Sequence, residues 1–379
     1  MNIAFNAQLL SLTENYRNAG VSKYIYHLLD NLNIIDKQNK YLIFMNKCSY
    51  RDISLSNNYK CILTNLNTSN PFIRVLWEQI VLPLELRNNV DLLHCPVNVV
   101  PFICSAPSIV TINDLTNFIY PETFRKINRV YLTTLTKISV QKAKRIIAIS
   151  QNTKNDIVRI LKIPEEKIVV VYDGVDDNFY VMKNKDVLSN IRKKYFLPEK
   201  FILFVGTLEP RKNVQGLLKA FVKLKAYNNI NHKLVLVGSK GWLYNSFFNL
   251  VSELQLKKDI MFLDYVPDKD LPAIYNLADL FVYPSFYEGF GLPVLESMAC
   301  GCPVITSNTS SLPEVVGDAG IMINPFEIDA LAEAMYKVLT NYEFKSRIIE
   351  KGLIRIKKFN WKKCAEETLK VYEEVCSKR

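Results

Sequence analysis

Two glutamates, Glu288 and Glu296, flank the turn Gly289-Phe290-Gly291-Leu292-Pro293 within PSFYEGFGLPVLESMACGCPVITSN, residues 284–308. The strand-like run LFVYPS precedes the turn. Pro293 suits the first turn of a helix, where no N–H partner is lost. Gly289 and Gly291 let the backbone approach a ligand closely. The N–H groups of Phe290, Gly291 and Leu292 then stand at the positive end of a helix dipole and suit an anion. Glu296, placed in the first turn of that helix, can reach a polyol, whose hydroxyls each donate one hydrogen bond to a carboxylate. A phosphate between two sugars, one sugar per glutamate, fits this layout. On this stretch alone, both glutamates could equally do no more than complement the helix dipole.

A second group lies in LFVGTLEPRKN, residues 203–213. A strand ends at a Gly-Thr turn, and Arg211 and Lys212 stand before a helix that Asn213 can cap. Two adjacent cations at a strand's carboxyl end suit a diphosphate and can stabilise charge on a leaving phosphate; the bland alternative is a solvated helix start. Near the N-terminus, a strand, a loop and Gly20 open a helix, and Gly20 again permits close backbone approach. In TINDLTNFIYPETF, Asn113 and Asp114 end another strand, although Asp114 could simply close its own turn. In LDYVPDKDLPAIYNLAD, the spacing of Asp268 and Asp270 resembles a metal pair. A helix cap ahead of Pro272 is the stronger reading, and no metal site is expected. Val266, at the strand end, can offer backbone bonds to a flat base.

These residues need scaffolds that present strand ends. Short apolar runs without period-two alternation indicate strands buried on both faces. They are NIAFNA, YLIFMN, DLLHCP, SIVTIND, RIIAIS and KIVVVYDG in the first half, then FILFVGT, KLVLVG, IMFLDYV, LFVYPS and PVITSN. Helical stretches alternate with them, for example Val21 to Leu32, Pro121 to Lys142, Val214 to Lys225, Leu271 to Leu277 and Ile328 to Leu339. Two such series predict two doubly wound α/β domains. Residues 177–200, rich in Asp, Asn and Lys, form the seam. Ligands of such sheets bind outside the carboxyl ends of the strands, so the cleft between two facing sheets is the expected site.

Composition narrows the function. The chain has 379 residues, 49% hydrophobic and 22% charged, as in ordinary globular proteins. No apolar run approaches the ~18 residues of a membrane span. The beginning MNIAFNAQLL reads as a first strand, not a signal peptide. The eight cysteines contain no C-x-x-C pair and read as buried free thiols of a reduced compartment. Cys300 and Cys302 have no further ligand nearby. The net charge of +11 is spread over both halves and suits a phosphate ligand or an anionic membrane surface. With no basic arm and no zinc-finger spacing, nucleic acid is not expected. Between Thr123 and Asn155 lie Arg125, Lys126, Arg129, Lys137, Lys142, Lys144, Arg145 and Lys154, and no acid. Part of that stretch is predicted helix, which is either core-packed with a solvated basic face or a peripheral membrane face.

Taken together, GTLEPRKN, YVPDKDLPAIYNLADLFVYPS, YEGFGLPVLESMACGCPVITSNTSSLPEVVGDAG, FNWKKCAEETLKVYEE, GVSKYIYHLL and AISQNTKNDI with VVVYDGVD resemble family 4 of the retaining glycosyltransferases over essentially the whole chain. The resemblance implies the GT-B fold, two Rossmann-like domains facing a cleft. It implies an acceptor-side domain over 1–180, a nucleotide-sugar domain over 181–359, and a C-terminal helix over 360–379 that crosses back to the first domain. It also implies that Glu288 contacts donor-sugar hydroxyls, Glu296 holds the ribose, and Arg211 and Lys212 hold the diphosphate. Phe290, Gly291 and Leu292 touch the donor through backbone groups, Gly20 lies beside the phosphate, and residues near Val266 meet the base. Where the family often has His-Asp-Leu, this chain has Asn113-Asp114-Leu115. Asparagine can hydrogen-bond but cannot act as a base, which puts the role of Asn113 in question.

The expected activity is hexosyl transfer, with mannose from GDP-mannose first and UDP-sugars second, onto a glycan or lipid-linked acceptor of a surface polysaccharide. No cofactor is expected. The expected location is cytoplasmic, on the inner membrane face if the basic stretch docks there. A same-fold epimerase would need more acid–base groups than His27, His94 and His232 supply. A non-catalytic nucleotide-sugar binder is the other alternative. No G-x-G-x-x-G follows a strand, against a nicotinamide enzyme.

Overall fold

The computed structural model describes residues 1–11, 20–47, 55–86, 90–123, 126–227, 230–239 and 244–377. The chain forms two compact units, residues 1–174 with 360–379, and residues 175–359.

The first unit carries seven parallel strands: β1 Asn2–Asn6, β2 Lys40–Asn46, β3 Tyr59–Thr64, β4 Leu92–Cys95, β5 Ser108–Ile112, β6 Arg145–Ala148 and β7 Ile168–Val170. Their order is β3-β2-β1-β4-β5-β6-β7. The second unit carries β8 Phe201–Val205, β9 Lys233–Val237, β10 Ile260–Leu263, β11 Leu280–Tyr283, β12 Val304–Ser307 and β13 Ile321–Ile323, also all parallel, in the order β10-β9-β8-β11-β12-β13. The central strands are apolar and buried throughout, as strands covered on both faces must be. In each unit the order reverses direction beside the first strand, the switch point at which such sheets expose strand ends to a ligand. No described helix is long and apolar enough to cross a membrane.

Four sequence readings need correction. The edge strands β3 and β13 were not foreseen. The helix expected from Pro121 is a 3₁₀ turn, Pro121–Thr123, followed by an α-helix over Lys126–Lys142. Phe124 and Arg125 lie outside the described residues. Of the cysteines, Cys61, Cys104 and Cys376 are only half-buried, and Cys48 lies outside the described residues.

The final helix, Trp361–Ser377, packs on the helix Gly20–Ile35 within the first unit. It buries Trp361, Cys364, Ala365, Thr368, Val371 and Tyr372. Gly174 makes the return possible, because a Cβ there would stand 2.2 Å from the Trp361 backbone nitrogen. A polar chain threads the contact. His94 Nδ1 is 2.6 Å from the Tyr372 hydroxyl, and His94 Nε2 is 2.9 Å from Thr111 Oγ1. Thr111 Oγ1 is in turn 3.1 Å from the Tyr24 hydroxyl. Burial pulls the His94 pKa down to about 3, so the ring is neutral and structural. His27 stacks on Trp361 at 4.9 Å, and His232 lies buried 3.5 Å from Asp279. His94 and His27 thus pack against the final helix and His232 meets a carboxylate, which weighs against the epimerase alternative.

Candidate active site

β8 ends at Val205, and a 3₁₀ turn, Pro210–Lys212, leads to Asn213. Asn213 adopts φ +53°, and its side chain accepts from the Gly216 N–H at 3.2 Å, capping the helix Val214–Lys225. This cap holds Arg211 and Lys212 immediately before the helix, as their spacing predicts.

β11 ends at Tyr283 and leads into the loop that carries Glu288. Its backbone is tied to the first turn, since the Phe286 N–H donates to the Arg211 carbonyl at 2.8 Å. The side chains converge there. Arg211 Nη1 is 2.9 Å from Glu288 Oε2, and Lys212 Nζ is 2.7 Å from Glu288 Oε1. Arg211 also donates to the Tyr287 carbonyl at 2.5 Å and stands 3.6 Å from Glu209. Lys212 donates to the Tyr283 hydroxyl and lies 4.9 Å from that ring's centre.

All three charged side chains are largely buried, with 8–13% of each exposed. Burial alone would raise the Glu288 pKa; the adjacent Arg211 and Lys212 outweigh it and hold the carboxyl at about 2. For Lys212 burial wins and lowers the pKa, against the pull of Glu288. Glu288 binds both cations in a water-poor place, while the second carboxylate near Arg211, Glu209, stands farther off and is more exposed, so an incoming anion can compete for the two cations.

The glycine turn is clamped from the loop after β12. Ser311 Oγ donates to the carbonyls of Glu288 at 3.0 Å and Phe290 at 2.7 Å, and the Glu288 N–H donates to Ser310 Oγ at 3.0 Å. Gly291 has φ +115° and stands at the N-cap position of the helix Leu292–Ala299, with Pro293 in its first turn. A Cβ at Gly291 would lie 2.9 Å from Leu312 Cδ2. Gly291→Ala is therefore expected to lower the unfolding free energy by about 1–3 kcal/mol, through backbone strain and crowding together. Chemical denaturation checks this; unchanged stability would contradict the stated constraint.

Glu296 is the fifth residue of that helix, just past the first turn in which the sequence reading placed it. The Tyr275 hydroxyl donates to its Oε2 at 3.0 Å. Tyr275, Phe281 and Tyr283 form a run of rings with centres 5.4 and 5.7 Å apart, linking the partner of Glu296 to the partner of Lys212. Phe290 buries its ring against Phe359 at 5.7 Å, so its side chain is structural. Val266 is buried in the loop beyond β10, which ends at Leu263, and not at the strand end itself.

Asp270 stands at the N-cap of the helix Leu271–Leu277 but does not cap it. Its carboxylate accepts from Lys194 Nζ and the Tyr195 hydroxyl, each at 2.6 Å. Among the described residues no group of three His, Cys, Asp or Glu side chains could hold a metal.

The remaining predicted residues belong to the first unit. Asn113 follows β5; its Nδ2 donates to the Pro96 carbonyl, and its N–H to Asn98 Oδ1, each at 3.3 Å. Asp114 Oδ1 accepts from the Thr116 N–H at 2.9 Å, closing its own turn. Gly20 is exposed and opens the helix Gly20–Ile35; among the described residues no atom lies within 4 Å of a Cβ built there.

The sequence reading missed Tyr283, Tyr275, Ser310 and Ser311. The two serines follow PVITSN and precede Leu312-Pro313, where a helix starts. A serine pair ahead of a proline was the available signal.

The profile for group 1 glycosyl transferases matches residues 189–355, and that for glycosyltransferase family 4 matches 19–179. O-antigen chain mannosyltransferase B of Escherichia coli is 35% identical over 266 residues, spanning 70% of each chain. The serotype-specific mannosyltransferase WbdA of Escherichia coli is 31% identical over 273 residues, 70% of this chain and 33% of that longer protein. The sucrose-phosphate synthase structure from Thermosynechococcus elongatus superposes with a TM-score of 0.80 at 21% identity, over 100% of both chains, which establishes likeness of fold. With two Rossmann-like units, both profiles matched and relatives of this identity, the chain belongs to family 4 of the glycosyltransferases and is a glycosyltransferase.

Proposed function

We propose that this enzyme is a retaining hexosyltransferase that moves mannose from GDP-mannose onto a glycan or lipid-linked acceptor during surface polysaccharide synthesis. The mannosyl reading rests on the relatives named above. The observation that carries the site is the burial of Arg211 and Lys212 on one shared carboxylate at the end of β8. In the proposed step the bond from the anomeric carbon to the diphosphate oxygen breaks, and the electron pair leaves with the phosphate. Arg211 and Lys212 take up that charge. The acceptor oxygen bonds to the same face of the sugar, and its proton passes to the departing phosphate oxygen. No side-chain base is required, which fits Asn113 in place of a histidine.

Glu288 serves twice. It anchors both cations and offers its remaining lone pairs to sugar hydroxyls. Glu296 takes the ribose, with Tyr275 fixing its orientation. Backbone groups of Phe290, Gly291 and Leu292 meet the donor phosphates, the backbone near Val266 meets the base, and the family resemblance assigns Gly20 to the phosphate. Asp114 shapes the turn beside Asn113. The acceptor belongs to the first unit, whose basic run also suits an anionic membrane, and the enzyme works at the inner face of that membrane.

A thermal-shift screen tests the donor. GDP-mannose is expected to raise Tm more than UDP-sugars at equal concentration, since stabilisation follows ligand concentration over Kd. A larger shift with a UDP-sugar would overturn the GDP assignment. Glu296→Ala is expected to weaken binding of free GDP, and an unchanged Kd would remove Glu296 from the ribose.

A further inference from the structure

The segment 71–85 is a continuous helical run: Pro71–Leu76, a π turn Trp77–Val81, then Leu82–Glu85. Asn70 caps it by accepting from the Phe72 N–H at 2.9 Å. The π turn falls just before Pro83, which has no N–H to continue the ladder. It also has a consequence for the surface. Residues spaced by four drift around an ordinary 3.6-residue helix, whereas a wider turn brings them back into line.

Four large apolar side chains occupy that spacing, and all face solvent: Phe72 at 71% exposure, Leu76 at 43%, Ile80 at 55% and Leu84 at 50%. The opposite face is buried through Trp77, Glu78, Leu82 and Leu86. Gln79 clips a neighbouring loop to this helix, accepting from the Phe102 N–H at 2.9 Å and donating to the Val100 carbonyl at 3.4 Å. That loop presents Ile103, 80% exposed. Scattered exposed apolar residues are ordinary; an aligned row extended by an adjacent loop marks an interaction surface.

Charge decides the occupant. Beside Phe102 lies a groove of about 800 Å³, lined among others by Cys104, Lys142, Lys144, Arg145 and Glu374. Arg145 is paired with Glu374, while Lys142 and Lys144 are exposed. Glu85 is the exposed carboxylate of the helix itself. An apolar ridge at the side of exposed lysines has the make-up of a helix lying in a membrane interface, with lysines at lipid phosphates. We propose that the helix 71–85, with Phe102 and Ile103, is the docking surface for an anionic lipid bilayer, its apolar ridge entering the acyl boundary. This rests on the membrane-face reading above and moves the apolar contact off the 126–142 helix, which buries Leu135, Thr136, Ser139 and Val140 in the first unit and keeps only its last residue, Lys142, at the lipid surface.

The test is co-sedimentation with phosphatidylglycerol-containing and pure phosphatidylcholine vesicles. The wild type is expected to bind the anionic vesicles and to keep part of that binding at high salt, because the ridge contribution is not screened. Phe72→Glu with Ile80→Glu is expected to lower the partition coefficient at least tenfold, with unchanged transfer to a short soluble acceptor. Lys142→Glu with Lys144→Glu is expected to abolish the preference for anionic vesicles. If the Phe72/Ile80 variant sediments like the wild type, the docking surface is wrong and the membrane reading stands. If the wild type binds no vesicle, both fall. If the wild type is instead a dimer that the Phe72/Ile80 variant turns into a monomer, the ridge belongs to a second copy and the lipid proposal is overturned.

Discussion

Replacing Lys212 by alanine is expected to cut kcat/KM by a factor of about 10²–10³, the usual loss when one well-placed charge-stabilising donor is removed from a dry site. Arg211→Ala is expected to cost at least as much, because Arg211 also holds the Tyr287 carbonyl and so fixes the turn that carries Glu288. The two effects should not add. In the proposed step both cations act on one leaving group and share one carboxylate, so removing either should already undo the unit. Lys212→Arg is expected to recover little, since a planar fork cannot repeat both the ammonium's bond to Tyr283 and its bond to Glu288. Steady-state kinetics with a soluble acceptor decides the matter. Near wild-type turnover in both alanine variants would show that the leaving group lies elsewhere.

The second large effect is on stability. Glu288→Ala leaves Arg211 and Lys212 buried without their shared carboxylate, and removing one partner of a buried ion pair costs about 3–5 kcal/mol. The pH dependence has a definite sign. The Glu288 carboxyl titrates at about 2 in the folded protein, burial opposing and the two cations prevailing. In the unfolded chain it titrates near ~4.3. The folded state therefore releases this proton more readily, so the stabilisation is full above the unfolded value and fades as pH falls towards 2. The stability gap between wild type and Glu288→Gln is expected to shrink between about pH 5 and pH 2. Urea denaturation across that range measures it, and a gap that widens on acidification would contradict the ion-pair account.

The strands that build the site were legible because they are buried on both faces and read as unbroken apolar runs. β3 and β13 were not, for the opposite reason. They are edge strands, β3 mostly half-buried and mixed in composition, β13 three residues long, and their pairing is set by the neighbouring strand more than by their own pattern. Arg211, Lys212 and Glu288 stood out in the sequence because charged residues beside glycine turns at strand ends have few structural uses, and the structure brings the three together. The Tyr283 and Tyr275 partners were not, because a tyrosine in an apolar strand or helix looks like core until its hydroxyl is seen to meet Lys212 or Glu296. The depth of Glu296 depended on where the helix begins. Gly291, taken from the sequence as a point of close backbone approach, stands at the N-cap position of that helix with a positive φ.

The most direct test of the central claim, that Arg211 and Lys212 hold the donor's diphosphate, is calorimetric titration of GDP and GMP into the wild type and the Arg211→Ala/Lys212→Ala double variant. The account predicts that wild type binds GDP at least about tenfold more tightly than GMP, a difference of ~1.4 kcal/mol. In the double variant that difference should vanish while GMP affinity is kept. A double variant that still prefers GDP by the wild-type margin would contradict the account.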